Sequence, residues 1–377
     1  MATRLASDLL VTRATSSSRA RRRIGRFVSR RSFFGRSDAE QWLEGARDDG
    51  GGDDDERERG ASSASAFASP SIDAAFSALA RRRRGLALFE REMAKEEEDV
   101  DLLAAACFVA MHADPDVEVE RVRREIDDMA SVVCARLDAE IGAESERYPL
   151  RTIKTISRAF AEDLGFRGNI ENYYEVENSC IDRVLARRTG IPITLSLTYM
   201  EIAQRCGMPM VDVGIPGHLL CRPVADGMEI LVDAFNQGDI LFIEEVEDIL
   251  ARNSNVAGKV QIDRSFLSET KIRKKAFLTR MLGNLRAIYD AREDDASALM
   301  IVEYMLACNP YESLQNPLRK ALGVGYFKTG RWRDAAEALR AVPEPDPETE
   351  AILERIERIL ALESDALTKS DDDVDVS

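Results

Sequence analysis

Histidine is nearly missing from this chain: 377 residues carry two, His112 and His218. The six cysteines, Cys107, Cys134, Cys180, Cys206, Cys221 and Cys308, form no C-x-x-C pair. So few nitrogen ligands and no paired thiols argue against a zinc site, and the sequence points to no other metal and no cofactor. Single cysteines scattered through apolar segments fit a reducing compartment and buried thiols rather than disulfides. No run is long and apolar enough to span a bilayer. Acids outnumber basic residues outside the first 36 positions, which themselves hold ten arginines and one acid, Asp8. Of 52 basic and 68 acidic residues in all, the remainder keeps 42 and 67, a net charge of −25. A body that acidic repels nucleic-acid phosphates and anionic membrane surfaces, so neither is expected as the main partner.

What the chain does contain falls into blocks. Residues 1–36 are rich in Arg and Ser, the composition of an organelle transit peptide, and they lack the apolar centre of a secretory signal. The Ser/Thr content favours a chloroplast; the Arg density also suits a mitochondrion, and a basic tail on a cytosolic protein is the plain alternative. Residues 37–70 alternate Gly, Ser and acid in blocks that cannot bury enough apolar surface to fold, and read as a linker. Residues 71–168 read as an all-helical module. Asp114-Pro115 stops one helix, and Val119, Val122, Ile126, Met129 and Val133 recur at helical spacing in the next. The run Arg81 to Arg84 reads as a solvated helix face. His112, beside the Asp-Pro stop, reads as a helix-end histidine satisfied by a carbonyl.

The segment 169–270 carries the candidate chemistry. Asn178 or Ser179 can cap a short helix ended by Gly190. Pro192 opens a second helix, apolar on most of its surface until Glu201 and stopped by Gly207, which belongs in a domain centre. Three β-like runs follow, Met210–Ile215, His218–Val224 and Met228–Phe235, the last two joined by a turn at Ala225-Asp226-Gly227. Alternation points His218 and Leu220 one way, Leu219 and Cys221 the other, and lets Asp233 face His218 from the partner strand. A carboxylate orienting an imidazole is half of a hydrolytic triad.

Here the chain resembles the transglutaminase-like family that includes the bacterial SirB1 protein. The resemblance rests on Asn172-Tyr173-Tyr174, Asn178-Ser179, the run Arg187 to Ser196 (RRTGIPITLS), Pro216-Gly217-His218, and Asp233-Ala234-Phe235-Asn236-Gln237-Gly238. It extends upstream to about Leu102 and downstream through the helical repeats. It implies an α+β, mostly helical fold: a papain/transglutaminase-like core, with a central helix on a small antiparallel sheet, followed by tetratricopeptide-like helical hairpins. It also implies a cysteine at the start of the central helix and a His and an Asp on adjacent strands. The chain departs from that pattern. About four turns back from Gly207-Met208-Pro209 lies Pro192, with Ser196 one turn later and no cysteine.

Three residues are candidate replacements for the nucleophile. Thr194 and Ser196 lie near the helix start, where backbone N–H groups could support an oxyanion, but a hydroxyl needs an activating base, and both also suit small spaces in a crowded core. Cys180 lies on the preceding helix, at a different spacing. Cys206 is at the wrong end of its helix and Cys221 points away from His218. The His218–Asp233 pair is either an acid–base pair or a buried hydrogen bond left from an enzymatic ancestor. Two functions follow. One is a non-catalytic transglutaminase-like scaffold in an organelle, binding a protein or peptide partner. The other is a hydrolase or acyltransferase acting on amide bonds with a relocated nucleophile.

Residues 271–364 repeat. Tyr289 aligns with Tyr326, Ala298 with Ala335 and Pro310 with Pro347, and Leu322-Gly323-x-x-Tyr326 resembles the tetratricopeptide pattern directly. Two such helix–turn–helix units are too few to stand alone and are expected to pack on the core. Residues 365–377 read as a disordered acidic tail.

Overall fold

The described residues open on a helix at Ile72. The computed structural model describes residues 72–142, 147–215, 218–224, 229–253, 273–308 and 312–372. The transit-peptide and linker readings, the Ala225-Asp226-Gly227 turn, Pro216-Gly217 and Pro310 lie outside the described residues. Helix α1 (Ile72–Met93) buries Leu86, Phe89 and Met93, three to four residues apart, and leaves Arg81, Arg83 and Arg84 exposed. Helix α2 (Leu102–Ala110) is capped by the Asp101 side chain, which accepts from Ala104 N. Helix α3 (Val119–Glu140) buries Val122, Ile126, Met129, Val133 and Leu137. Helix α4 (Pro149–Arg158) runs into a π-helical turn, Ala159–Asp163, and the chain then bends at Gly165, φ 75°.

The next segment differs from its sequence pattern. Asn178 and Ser179 do not cap a helix: they lie in a 3-10 turn, Val176–Ser179, and helix α5 (Ile181–Arg187) starts only after Cys180. The Asn178 side chain is engaged elsewhere, donating to Asn172 O at 2.7 Å and Tyr173 O at 3.0 Å. Nor does Gly190 end the helix. Arg188 does, at φ 55°, and Thr189–Gly190 (β2) pairs in parallel with Arg167–Gly168 (β1), so the segment up to 168 is not wholly helical. A Cβ on Gly168 would fall 2.7 Å from the Phe235 carbonyl oxygen, so glycine permits this crossing.

Helix α6 (Pro192–Arg205) buries ten residues, among them Thr194, Ser196 and Tyr199, and Gly207 closes it at φ 76°. A four-stranded antiparallel sheet packs against it in the order β3 (Met210–Ile215), β4 (His218–Pro223), β5 (Ile230–Asp233) and β6 (Asp239–Phe242). Strand β5 is shorter than its apolar run because Asp233 accepts from Phe235 N and Asn236 N, which turns the chain. One sheet face, with Leu219, Cys221, Ile230 and Val232, joins the main core. The other, with Val213, Ile215, Leu220 and Leu231, is covered by Val246 and Leu250 of α7 (Ile243–Asn253).

Helices α8 (Lys274–Ala291), α9 (Asp295–Cys308), α10 (Glu312–Lys328), α11 (Trp332–Arg340) and α12 (Pro347–Asp372) form successive antiparallel hairpins. The first hairpin docks on α2: Tyr304 OH donates to Phe108 O at 2.9 Å, and Tyr289 OH bonds His112 Nε2 at 2.7 Å. Residues from Leu86 to Leu318 share one core, the burial that an isolated pair of hairpins would lack. Helix α12 runs to Asp372, past residue 364 where the acidic tail was expected. No helix among the described residues is long and apolar enough to cross a membrane.

Candidate functional site

The end of β4 meets the end of β5 at His218 and Asp233. His218 Nε2 donates to Asp233 Oδ2 at 2.7 Å, with side-chain exposures of 11% and 2%. Asn236 Nδ2 donates to the same oxygen at 2.7 Å, while Asp233 Oδ1 takes the N–H groups of Phe235 at 3.1 Å and Asn236 at 3.2 Å. Burial alone would raise this carboxyl. Its bonds to His218 and Asn236 outweigh burial and hold it below the ordinary carboxylate range. Asp233 is therefore an ionised, fully bonded group that fixes the imidazole by its Nε2–H.

The alternation expected in the sequence is present. His218 pairs with Ile215, which places it on the face of Leu220, and Asp233 lies on the face of Leu231. Ser196 and Cys221 lie on the other side: Ser196 Oγ donates to Leu219 O at 3.4 Å, and Cys221 Sγ to Ser196 O at 3.7 Å. Thr194 Oγ1 accepts from Ile191 N at 3.3 Å and donates to Asn178 O at 2.7 Å, tying the start of α6 to the preceding turn. Both hydroxyl residues have 0% exposure. Cys180 is also buried, beside a cavity of about 170 Å³ shared with Asp114, Asp182 and Arg183. Burial, then the neighbouring Asp182 carboxylate, pushes its thiol far up, away from the nucleophilic thiolate. The structure thus brings His218 and Asp233 together. The hydrogen bonds of Thr194 and Ser196 run to main-chain carbonyls and not to that pair.

Two features went unread in the sequence. Asn178 is a hub, fully buried, bonded to Asn169 as well as to the carbonyls of Asn172 and Tyr173. Tyr173, Tyr174 and Phe235 line up with His218, with ring centroids 5.2 Å apart for Tyr174–Tyr173, 6.1 Å for Tyr173–Phe235 and 6.2 Å for Phe235–His218. Tyr174 is 66% exposed, so this row of rings leads from the surface to the buried pair. Burial, followed by the adjacent Tyr174, pushes the Tyr173 hydroxyl up to about 12, so it stays protonated. The signal available was the clustering of these aromatics beside Asn172 and Asp233.

A central helix thus packs on an antiparallel sheet that carries a His–Asp pair across two strands. Residues 120–283 match the transglutaminase-like superfamily. The matched segment includes α6 and the His218–Asp233 pair. The chain is 29% identical over 252 residues to a UPF0162 protein of Xylella fastidiosa, covering 66% of this chain and 86% of that protein. It is 27% identical over 227 residues to a UPF0162 protein of Pseudomonas aeruginosa, covering 60% and 78%. Human F-box only protein 21 is 27% identical over 266 residues, covering 63% of this chain but 40% of that longer protein. No solved structure matches. Among the described residues, no three His, Cys, Asp or Glu side chains come together to hold a metal ion.

Proposed function

We propose that the transglutaminase-like region is a non-catalytic interaction module that binds a protein or peptide partner. The observation that carries this reading is the interior placement of Thr194, Ser196 and Cys180, with both hydroxyls donated to carbonyls. An acyl-transfer site needs nucleophile, base and a reachable reacting atom at once. The partner surface is the ring row of Tyr174, Tyr173 and Phe235, rimmed by Ile170, which is 48% exposed. Aromatic side chains that offer a large apolar face are what interface centres are built from. The helical hairpins, whose sequence resembles tetratricopeptide repeats, extend that binding surface. The Arg/Ser-rich first 36 residues support an organelle setting, a chloroplast before a mitochondrion, which an import assay with that segment deleted would check.

The test compares two variants for partner capture and for amide turnover. Tyr174→Asp should abolish capture, and His218→Ala should retain most of it. Measurable turnover lost on His218→Ala would overturn the reading. The retained His218–Asp233 bond favours a second reading, a hydrolase or acyltransferase on amides with a relocated nucleophile. That reading requires a covalent acyl adduct on Thr194, Ser196 or Cys180 that depends on His218.

A further inference from the structure

Away from this site, α3 and α6 bring two thiols together. Cys134 Sγ lies 2.9 Å from Cys206 Sγ, closer than the roughly 3.5–4.0 Å at which non-bonded heavy atoms settle. A disulfide bond of about 2.05 Å would need the sulfur atoms to close by only about 0.9 Å. Cys134 lies on α3, and Cys206 ends α6. The Cys206 thiol also approaches Ala130 O, at 3.6 Å, one turn before Cys134, so it points into α3. Arg205, the residue before Cys206, bonds Asp127 of α3 and holds the two helices in register. Two other thiols are engaged differently: Cys221 on Ser196 O, and Cys308 3.9 Å from Met93 Sδ.

We propose that Cys134 and Cys206 are a modification site, a thiol pair that a small-molecule or protein disulfide oxidises reversibly to an intramolecular disulfide. The half-buried Cys134 is the point of entry and the buried Cys206 resolves. Burial, then the neighbouring Cys134, raises the Cys206 thiol, while Arg147 works against that rise. The Cys134 thiolate attacks one sulfur of the reagent and expels the other as a thiolate. Cys206 then gives up its proton and attacks the adjacent Cys134 Sγ in the mixed disulfide, expelling the second thiol; the short sulfur–sulfur approach, which Cys180 lacks, offsets its raised thiol. Two protein thiols lose two electrons and two protons, and the reagent disulfide gains both to become two thiols. The new bond would tie the central helix α6 covalently to α3.

The full-length chain should be equilibrated in glutathione buffers from reduced to oxidised, alkylated under denaturing conditions and mapped by mass spectrometry. The expected result is the joint loss of two thiols, recovery of the peptides holding Cys134 and Cys206 as one cross-linked species, and reversal by a dithiol. Cys206→Ser should instead trap Cys134 as a mixed disulfide with glutathione. Full alkylation of both wild-type thiols across the series would overturn the proposal. So would glutathione on each thiol without cross-linking. The wild-type map decides without relying on any variant's folding.

Discussion

Removing the Asp233 carboxylate should cost far more stability than removing the imidazole it holds. The carboxylate takes four hydrogen bonds, from His218 Nε2, Asn236 Nδ2 and the N–H groups of Phe235 and Asn236, at a side chain 2% exposed. Asp233→Ala leaves all four donors without their acceptor, a loss of about 3–5 kcal/mol. Asp233→Asn keeps the shape and the two backbone bonds but turns an NH2 group toward the Asn236 amide, for about 1.5–3 kcal/mol. His218→Ala removes one donor and leaves the carboxylate three, for about 1 kcal/mol. Urea unfolding at constant m-value reads the order directly. The sign of the pH effect is also fixed. Asp233 titrates below its unfolded value, so its contribution is present above about pH 4 and fades as pH falls through the depressed folded value. The gap between wild type and Asp233→Asn should therefore narrow in acid. An Asp233→Ala variant as stable as wild type, or more so, would refute the reasoning, because strained catalytic groups are the ones whose removal stabilises.

Further outcomes follow from other sites. His112 is held neutral, with its pKa lowered to about 4 by burial, donating from Nδ1 to Val109 O and accepting at Nε2 from Tyr289 OH. The unfolded histidine binds a proton near pH 6.5 and the folded one only near 4, so stability should fall by up to roughly 3 kcal/mol between those values as pH drops. Unfolding titrations of wild type and His112→Gln should show that slope only in wild type. Gly238→Ala adds a Cβ at φ 77° and 2.8 Å from Ser157 Cβ and Oγ, which should cost about 1–3 kcal/mol in thermal or urea unfolding. Thr194→Val keeps the volume but leaves Asn178 O without its 2.7 Å donor, for about 1–3 kcal/mol in the same assay.

The residues that could be read from the sequence are those whose partners lie close along the chain or follow strand alternation. His218 and Asp233 are 15 residues apart on neighbouring strands, and period two was enough to pair them. The central helix announced itself through Pro192, an apolar run and Gly207. What stayed hidden depends on packing between distant elements. Nothing local tells that His112 meets Tyr289 across 177 residues, or that Cys134 and Cys206 touch across 72. Asn178 looked like a cap because Asn before a helix usually is one. Its carbonyl and amide instead hold Thr194 and the Asn172-Tyr173 turn, a role set by tertiary contact. Strand β6 escaped notice because four residues with exposed ends carry little pattern.

The central claim is that the His218–Asp233 pair has no nucleophile to serve. The most direct test exposes the folded full-length chain and its His218→Ala variant to a panel of acylating probes and amide peptides. Intact mass and released amine are then followed together. The account predicts no His218-dependent adduct and no turnover above the protein-free rate. An adduct on Thr194, Ser196 or Cys180 that vanishes with His218→Ala would contradict it.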